Sequence, residues 1–345
     1  MTVTLKDVAR EAGVSVSAAS ICLRHGEGFS PATIQRVRAA ADTLGYGVPA
    51  GPRPRATERT GIAAIVLNDD PRRAMQCGHT VEIIRALSHE LTHMGMGVAL
   101  LPSRQDTEGT CPYRWVAADI AYFLAVGELS HETTALLRSR GIPTVHLQSV
   151  VGGPVAAVRT DDVAPMRALA AHILSLGHER IAVVTQRSGA IASAGLSDRL
   201  DWRDTCIIHT RERLRGLEEA GVTPMAVYEA RTSAVDAGRE AGATLFTMHP
   251  RPTAVICLTD MLAAGVMVAA REAGLSVPGD VSITGWDGLD LPSLSPHRLT
   301  TVLQSGAQKG MLLAAFGREV LAGGHPRPFH VPQHVSIGST TGRAP

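Results

Sequence analysis

From Gly61 onward the chain alternates short apolar runs with amphipathic stretches, and this alternation limits the folds open to it. The runs lie at 62–67, 98–101, 120–126, 143–147, 181–185, 226–228, 254–258 and 281–285. Between most of them, at about 78–94, 131–140, 162–176, 209–220, 233–247 and 260–273, apolar residues recur three and four apart. Apolar strands joined by helices predict parallel sheets covered on both faces. Eight runs suit two sheets and therefore two lobes. Ligands of such folds sit at the strands' carboxyl ends, here in the cleft between lobes.

The first 46 residues read differently. A short helix over 5–12 places Val8, Ala9 and Ala12 on one face, and Gly13 turns the chain. Ser15 can N-cap a second helix over about 16–23. Ser30-Pro31 is a cap followed by a proline at the first helical position. The third helix that starts there carries Ile34, Val37, Ala41 and Leu44 at spacings of three and four. Two short helices around a tight turn, braced by a third, fit a helix-turn-helix whose second helix enters the DNA major groove.

Charge supports this division. Residues 1–60 hold eight Lys/Arg against five Asp/Glu, while the whole chain is only +1. A basic head on a near-neutral body suits nucleic-acid contact at one end. No secretory signal is legible at the N-terminus, and no apolar run approaches the roughly 20 residues of a membrane span. The five cysteines are scattered with no Cys-x-x-Cys pair. A reducing, cytoplasmic setting is expected.

The segment Thr4-Leu5-Lys6-Asp7-Val8-Ala9-Arg10-Glu11-Ala12-Gly13-Val14-Ser15 resembles the head of the lactose-repressor (LacI/GalR) family of bacterial regulators. The likeness continues through 30–46. It returns in Leu176-Gly177-His178-Glu179-Arg180-Ile181, in Arg213-Leu214-Arg215-Gly216, in Thr259-Asp260 through Ala263, in Gly274 through Asp287 and in Leu299-Thr300-Thr301-Val302. Each match is weak alone, and their order makes them specific. The resemblance implies a small all-α head followed by an α/β, periplasmic-binding-protein-like body of two Rossmann-like lobes. It implies a repressor that binds double-stranded operator DNA as a homodimer and answers to a small-molecule effector, a sugar by default. The expected division is a head at 1–46, a hinge linker at 47–60 and a body at 61–345. Within the body, lobe one takes about 61–160 and 292–320, and lobe two about 161–291 and 321–345.

Geometry of a reading helix puts Val16, Ser17 and Ile21 toward base edges. Relatives often carry Arg where Ile21 stands; Ile21 can only meet a thymine methyl or pack internally. Ser20, Arg24 and Ser30 are expected phosphate contacts, which position without specifying. By resemblance Asp287 and Arg213 reach into the cleft and hold polar groups of the effector. Trp286 stacks on a ring or plugs a lobe, and Asp260 and Gln148 complete the expected set. Three departures argue against a standard sugar pocket. Gln148 stands where many relatives place Asp, Thr259 replaces Asn, and Thr232-Ser233 lacks an aromatic.

The linker 47–60 has no Leu, Ile, Phe or Met, whereas the resemblance implies a leucine wedge in the minor groove. Its prolines favour extended backbone, leaving Arg53 and Arg55 as its DNA contacts. No leucine heptads follow 338–345, so a dimer is expected rather than a tethered tetramer.

His89-Glu90-Leu91-Thr92-His93 matches the zinc-protease signature His-Glu-x-x-His. The apolar stripe Ile84, Leu87, Leu91 and Met94 gives that helix another use, with His89 and His93 solvated. No phosphate loop, nucleophile elbow or dinucleotide fingerprint is present, so neither enzyme activity nor a cofactor is expected.

Overall fold

The structure is a computed structural model. It describes residues 4–24, 28–44, 59–67, 71–102, 117–124, 137, 140–148, 156–186, 195–197 and 207–345. The chain divides into two compact units with a break between Thr60 and Gly61.

In the head, α1 (Leu5–Glu11), α2 (Val16–Arg24) and α3 (Pro31–Thr43) enclose a small core. Val8, Ala9, Ala19, Cys22, Leu23, Val37, Ala40 and Ala41 are buried, with Ile34 and Leu44 packed against them. The helix ends are built as the sequence implies. Asp7 accepts from the Thr4 amide at 3.0 Å, Ser15 Oγ accepts from the Ala18 amide at 3.1 Å, and Ser30 Oγ accepts from the Thr33 amide at 3.2 Å. Gly13 takes φ 63° in the turn, a conformation a Cβ would penalise. Arg36 Nε then ties α3 to the Ala12 carbonyl at 3.3 Å.

The body holds two sheets. The first is parallel throughout and joins β1 (Ile62–Leu67), β2 (Gly97–Pro102), β3 (Ile120–Leu124), β4 (Thr144–Leu147), β5 (Ala156–Thr160) and β12 (Phe329–Val331) in the order β12-β5-β4-β3-β1-β2. The second joins β6 (Ile181–Gln186), β7 (Gly195–Ser197), β8 (Ala226–Ala230), β9 (Ala254–Cys257) and β10 (Ser282–Thr284) in the order β10-β9-β6-β8-β7, with β7 antiparallel at the edge. Order reverses beside β1 and beside β6, the switch points where such sheets open a crevice.

Helices follow the apolar stripes. After the short α4 (Pro71–Ala74), α5 (Gly78–His93) buries Ile83, Ile84, Leu87 and Leu91 against the first sheet, beside α10 (Gly306–Leu321). On the second sheet, α6 (Val163–Ser175) and α7 (Ile208–Glu219) cover one face, and α8 (Val235–Phe246) and α9 (Asp260–Glu272) the other. The last two approach closely because Gly265 has no side chain; a Cβ there would stand 2.0 Å from the Val235 carbonyl oxygen. Among the described residues no helix is long and apolar enough to cross a membrane.

All eight anticipated strands are present; the helix anticipated at 131–140 lies mostly outside the described residues. The lobe boundaries near the C-terminus need correction. Residues 292–303 stay with the second lobe, where Leu294 and Leu299 join the core of Ile283 and Thr300 bridges Thr284. Phe329–Val331 pairs with β5 and so belongs to the first sheet. The chain then returns through β13 (His334–Ser336), antiparallel to β11 (Thr301–Leu303), and Thr340 caps the second sheet by accepting from the Ile283 amide at 2.8 Å. Three segments therefore cross between lobes, after Thr160, after Leu303 and after Val331.

Candidate functional site

Each crossing contributes one buried or half-buried polar side chain, and the three meet. Gln333 Nε2 donates to Asp162 Oδ1 at 3.1 Å and to Gln304 Oε1 at 2.9 Å. Around this knot both lobes place charge. From the second lobe, Arg213 Nε donates to Asp162 Oδ2 at 2.8 Å and Nη1 to the Leu258 carbonyl at 2.6 Å. Gln304 Nε2 donates to Asp287 Oδ1 at 2.6 Å. From the first lobe, Lys309 on α10 donates to Gln304 Oε1 and, at 3.0 Å, to His79 Nε2 on α5. Asp162, Arg213, Asp287, Lys309 and His79 are all less than 9% exposed.

Burial and neighbouring charge set the protonation states. Burial pushes the Asp287 carboxyl up to about 7, with Arg213 opposing and Asp260 reinforcing. Burial brings the Lys309 ammonium down to about 8. Burial, then Lys309 and Arg213, hold His79 well below its ordinary range, so its ring is neutral. A neutral ring that accepts at Nε2 carries its proton on Nδ1. That Nδ1–H, Trp286 Nε1–H, Asp287 Oδ2 and Gln333 Oε1 are buried without a hydrogen-bond partner among the described residues. Two donors and two acceptors of these residues thus remain unused. Asp287 also adopts φ 131°, a backbone strain that persists only where the surroundings impose it.

The anticipated effector residues divide accordingly. Arg213 and Asp287 lie in the cluster. Trp286 is fully buried in the second lobe's core with Arg213 4.3 Å over its ring, so it fills the lobe. Asp260 is consumed internally, accepting from Thr301 Oγ1 at 2.6 Å and from the Leu289 amide at 2.7 Å, and so fixes the loop that carries Asp287. Gln148 folds onto β5, exchanging hydrogen bonds with Thr160 at 2.8 and 3.0 Å, and reaches across to Glu212 Oε2 at 3.2 Å. Asp162, His79, Gln304, Lys309 and Gln333 were not singled out from the sequence. Lys309 was detectable, as the sole charge in the apolar stretch 306–317.

On the head, α2 buries Ala19 and Cys22 and exposes Val16, Ser17 and Ile21, the last at 41%. Ile21 is therefore not a core residue. Ser20 is half-buried, and Ser30 caps α3 while sharing its hydroxyl with Thr33 at 2.9 Å. The side chain of Arg24, and Arg53 and Arg55 entirely, lie outside the described residues. On α5, His89 and His93 are exposed with their Nε2 atoms 3.2 Å apart, and Glu90 pairs with Arg318 at 3.8 Å. Among the described residues no group of three or more His, Cys, Asp or Glu is placed to hold a metal.

Residues 4–48 match the family model described as bacterial regulatory proteins, lacI family, and residues 170–341 match that of a periplasmic binding protein-like domain. The chain is 30% identical over 325 residues to the HTH-type transcriptional regulator Rv3575c of Mycobacterium tuberculosis, covering 89% of this chain and 88% of that one. Its fold matches that of the transcriptional regulator CelR in complex with cellobiose, at TM-score 0.64 and 21% identity over 98% of this chain and all of the other. It also matches the lac repressor dimer bound to operator and the anti-inducer ONPF, at TM-score 0.65 and 20% identity over 99% of this chain and all of the other.

Proposed function

The chain belongs to the LacI family of bacterial regulatory proteins, and from that membership we propose a repressor whose hold on operator DNA is set by a small molecule bound at the polar knot between its lobes. One observation carries the effector half of this reading: Asp287 is buried and backbone-strained, with Oδ2 unpartnered beside Arg213. A group so placed has a use that internal packing does not supply. Arg213 and Asp287 receive the effector; Asp260, Trp286 and Gln148 hold them in position. The knot ties all three crossings, so a ligand that binds it better in one lobe arrangement shifts the balance between arrangements.

In this reading residues 1–46 contact DNA, 47–60 link, and 61–345 bind effector and dimerise. Val16, Ser17 and Ile21 face base edges, with Ser20, Arg24 and Ser30 on phosphates and Arg53 and Arg55 in the spacer. The protein acts in the cytoplasm as a homodimer on an inverted repeat, with half-sites about 10 bp apart. Selection of bound fragments from random DNA, followed by sedimentation of the complex, tests this. The expected result is a palindrome with two chains bound. A single chain on an asymmetric site overturns it.

A further inference from the structure

Lys309 is the least expected member of the knot. It is 4% exposed, and its hydrogen-bond partners among the described residues, His79 Nε2 and Gln304 Oε1, are both neutral. Arg213, by contrast, is already matched by Asp162 at 2.8 Å. Asp162 and Asp287 offset its desolvation only from beyond hydrogen-bond range, so the buried ammonium has no ionised partner in direct contact. Its surroundings favour an anion further. His79 offers an unpartnered Nδ1–H beside it. His79 also lies in the first turn of α5, where no acidic residue stands and Cys77 supplies no side-chain cap. The start of α5, an unpartnered ring N–H and a lysine thus stand together, an arrangement that attracts negative groups. A few ångströms on, through Gln304, Asp287 Oδ2 stands ready to accept from a hydroxyl.

We propose that the effector is a hydroxylated anion. Its carboxylate or phosphate group lands on Lys309, the His79 Nδ1–H and the start of α5, while a hydroxyl of the same molecule donates to Asp287. This rests on the effector reading above and narrows it, since a neutral sugar leaves Lys309 without an ionised partner in contact. An anion gives the ammonium an ionised acceptor and the unpartnered His79 Nδ1–H a charge-assisted hydrogen bond.

The test uses the full-length protein and minimal probes. Thermal unfolding is followed with inorganic phosphate, with acetate, and with sodium chloride at matched ionic strength. The same series is run with D-glucose, D-gluconate and D-glucose 6-phosphate. Lys309→Met, which keeps the volume and removes the charge, and Lys309→Arg are measured beside the parent. We expect saturable stabilisation by phosphate or by acetate beyond sodium chloride, and which of the two does so identifies the group. Its half-saturating concentration should rise at least about tenfold in Lys309→Met and recover in Lys309→Arg. Response to neither anion, or an equal response in Lys309→Met, overturns the inference. If D-glucose stabilises the parent and Arg213→Lys loses that response, the effector reading stands and the anion inference falls. A stabilising ligand indifferent to both Lys309→Met and Arg213→Lys overturns the placement of the site itself.

Discussion

Arg213 donates through Nε to Asp162 Oδ2 at 2.8 Å, and both side chains are almost wholly withdrawn from solvent. Burial alone would raise Asp162, but Arg213, followed by Lys309 and His209, outweighs it and holds the carboxyl below its ordinary range. The pair spans from the second residue after Thr160, on the lobe crossing, to α7, and Arg213 also closes the end of β9 through the Leu258 carbonyl. Removing one partner strands the other charge in the interior. Arg213→Ala should therefore lower stability by about 3–5 kcal/mol, whereas the double replacement Arg213→Met with Asp162→Leu should lie much nearer the parent. Denaturant unfolding of the three proteins checks this. A single-variant loss below about 1 kcal/mol would show that the pair is not what holds α7 to the crossing.

Because Arg213 carries structure as well as ligand contact, Asp287→Asn isolates the effector role more cleanly. Asn can still accept from Gln304 Nε2 through its Oδ1, and Asp287 Oδ2 has no partner to lose. Stability should change by less than about 1 kcal/mol. The effector concentration needed to alter operator binding should rise about tenfold to a hundredfold, the effect of losing a hydrogen bond to a charged group. Titration of operator binding with effector measures it. An unchanged titration removes Asp287 from the site.

The pattern that made the fold legible is also what hid the knot. Strands such as Ile181–Gln186 and helices such as Gly78–His93 declare themselves through repeated apolar positions. The capped head helices are equally plain, because Ser15 and Ser30 act over three residues. Phe329–Val331 and Ala156–Thr160 are short, and Arg159 and His330 interrupt their apolar character, so nothing local marks them as sheet. Asp162, Gln304 and Gln333 come from three chain crossings up to 171 positions apart, and only the topology brings them together. Arg213 and Asp287 were legible through resemblance, while the engagement of Asp260 with Thr301 was not.

Two side chains give opposite pH signatures. His146, stacked on Phe123, is held by burial down to about 4 against an ordinary 6.5. Between those values the unfolded chain binds a proton that the folded chain refuses. Stability from this group therefore rises with pH over 4–6.5 and is lost on acidification, by at most about 1.4 kcal/mol per pH unit. Glu212 is pushed up to about 7 from 4.5, by burial first and then by Asp162 and Asp161. There the folded chain keeps a proton that the unfolded chain has released, so stability falls as pH rises over 4.5–7. His146→Leu should flatten the acid side of the stability profile, and Glu212→Gln should steepen its climb over 4.5–7. Unfolding curves at half-unit pH intervals check both, and a slope change of the same sign in the two variants contradicts the assignment.

Ile21 stands exposed on α2 between the buried Ala19 and Cys22, so substitution there should leave the head folded. Ile21→Arg replaces an apolar contact with a bidentate donor suited to guanine. The selected half-site should change at one position toward G, with a discrimination of about 1–3 kcal/mol. Selection from random half-sites checks this, and an identical consensus for parent and variant places Ile21 away from the bases.

The linker should behave as an extended basic arm. Over 47–60 there is no Leu, Ile, Phe or Met to wedge between base pairs. Pro49, Pro52 and Pro54 each oppose a helix by about 3 kcal/mol. The only helix-compatible piece, 55–59, is too short to hold a helix alone. What remains is Arg53, Arg55 and Arg59, and arginine can enter a narrow minor groove without unstacking bases. Residues 47–58 lie outside the described structure, so solution measurement decides the matter. Arg53→Ala with Arg55→Ala should weaken operator binding and flatten its dependence on salt, because fewer counterions are released. The parent should favour A·T-rich spacers and bend its operator little. A strong central kink in a circular-permutation assay, or an unchanged salt slope in the double variant, would mean that the linker engages DNA by some other contact or not at all.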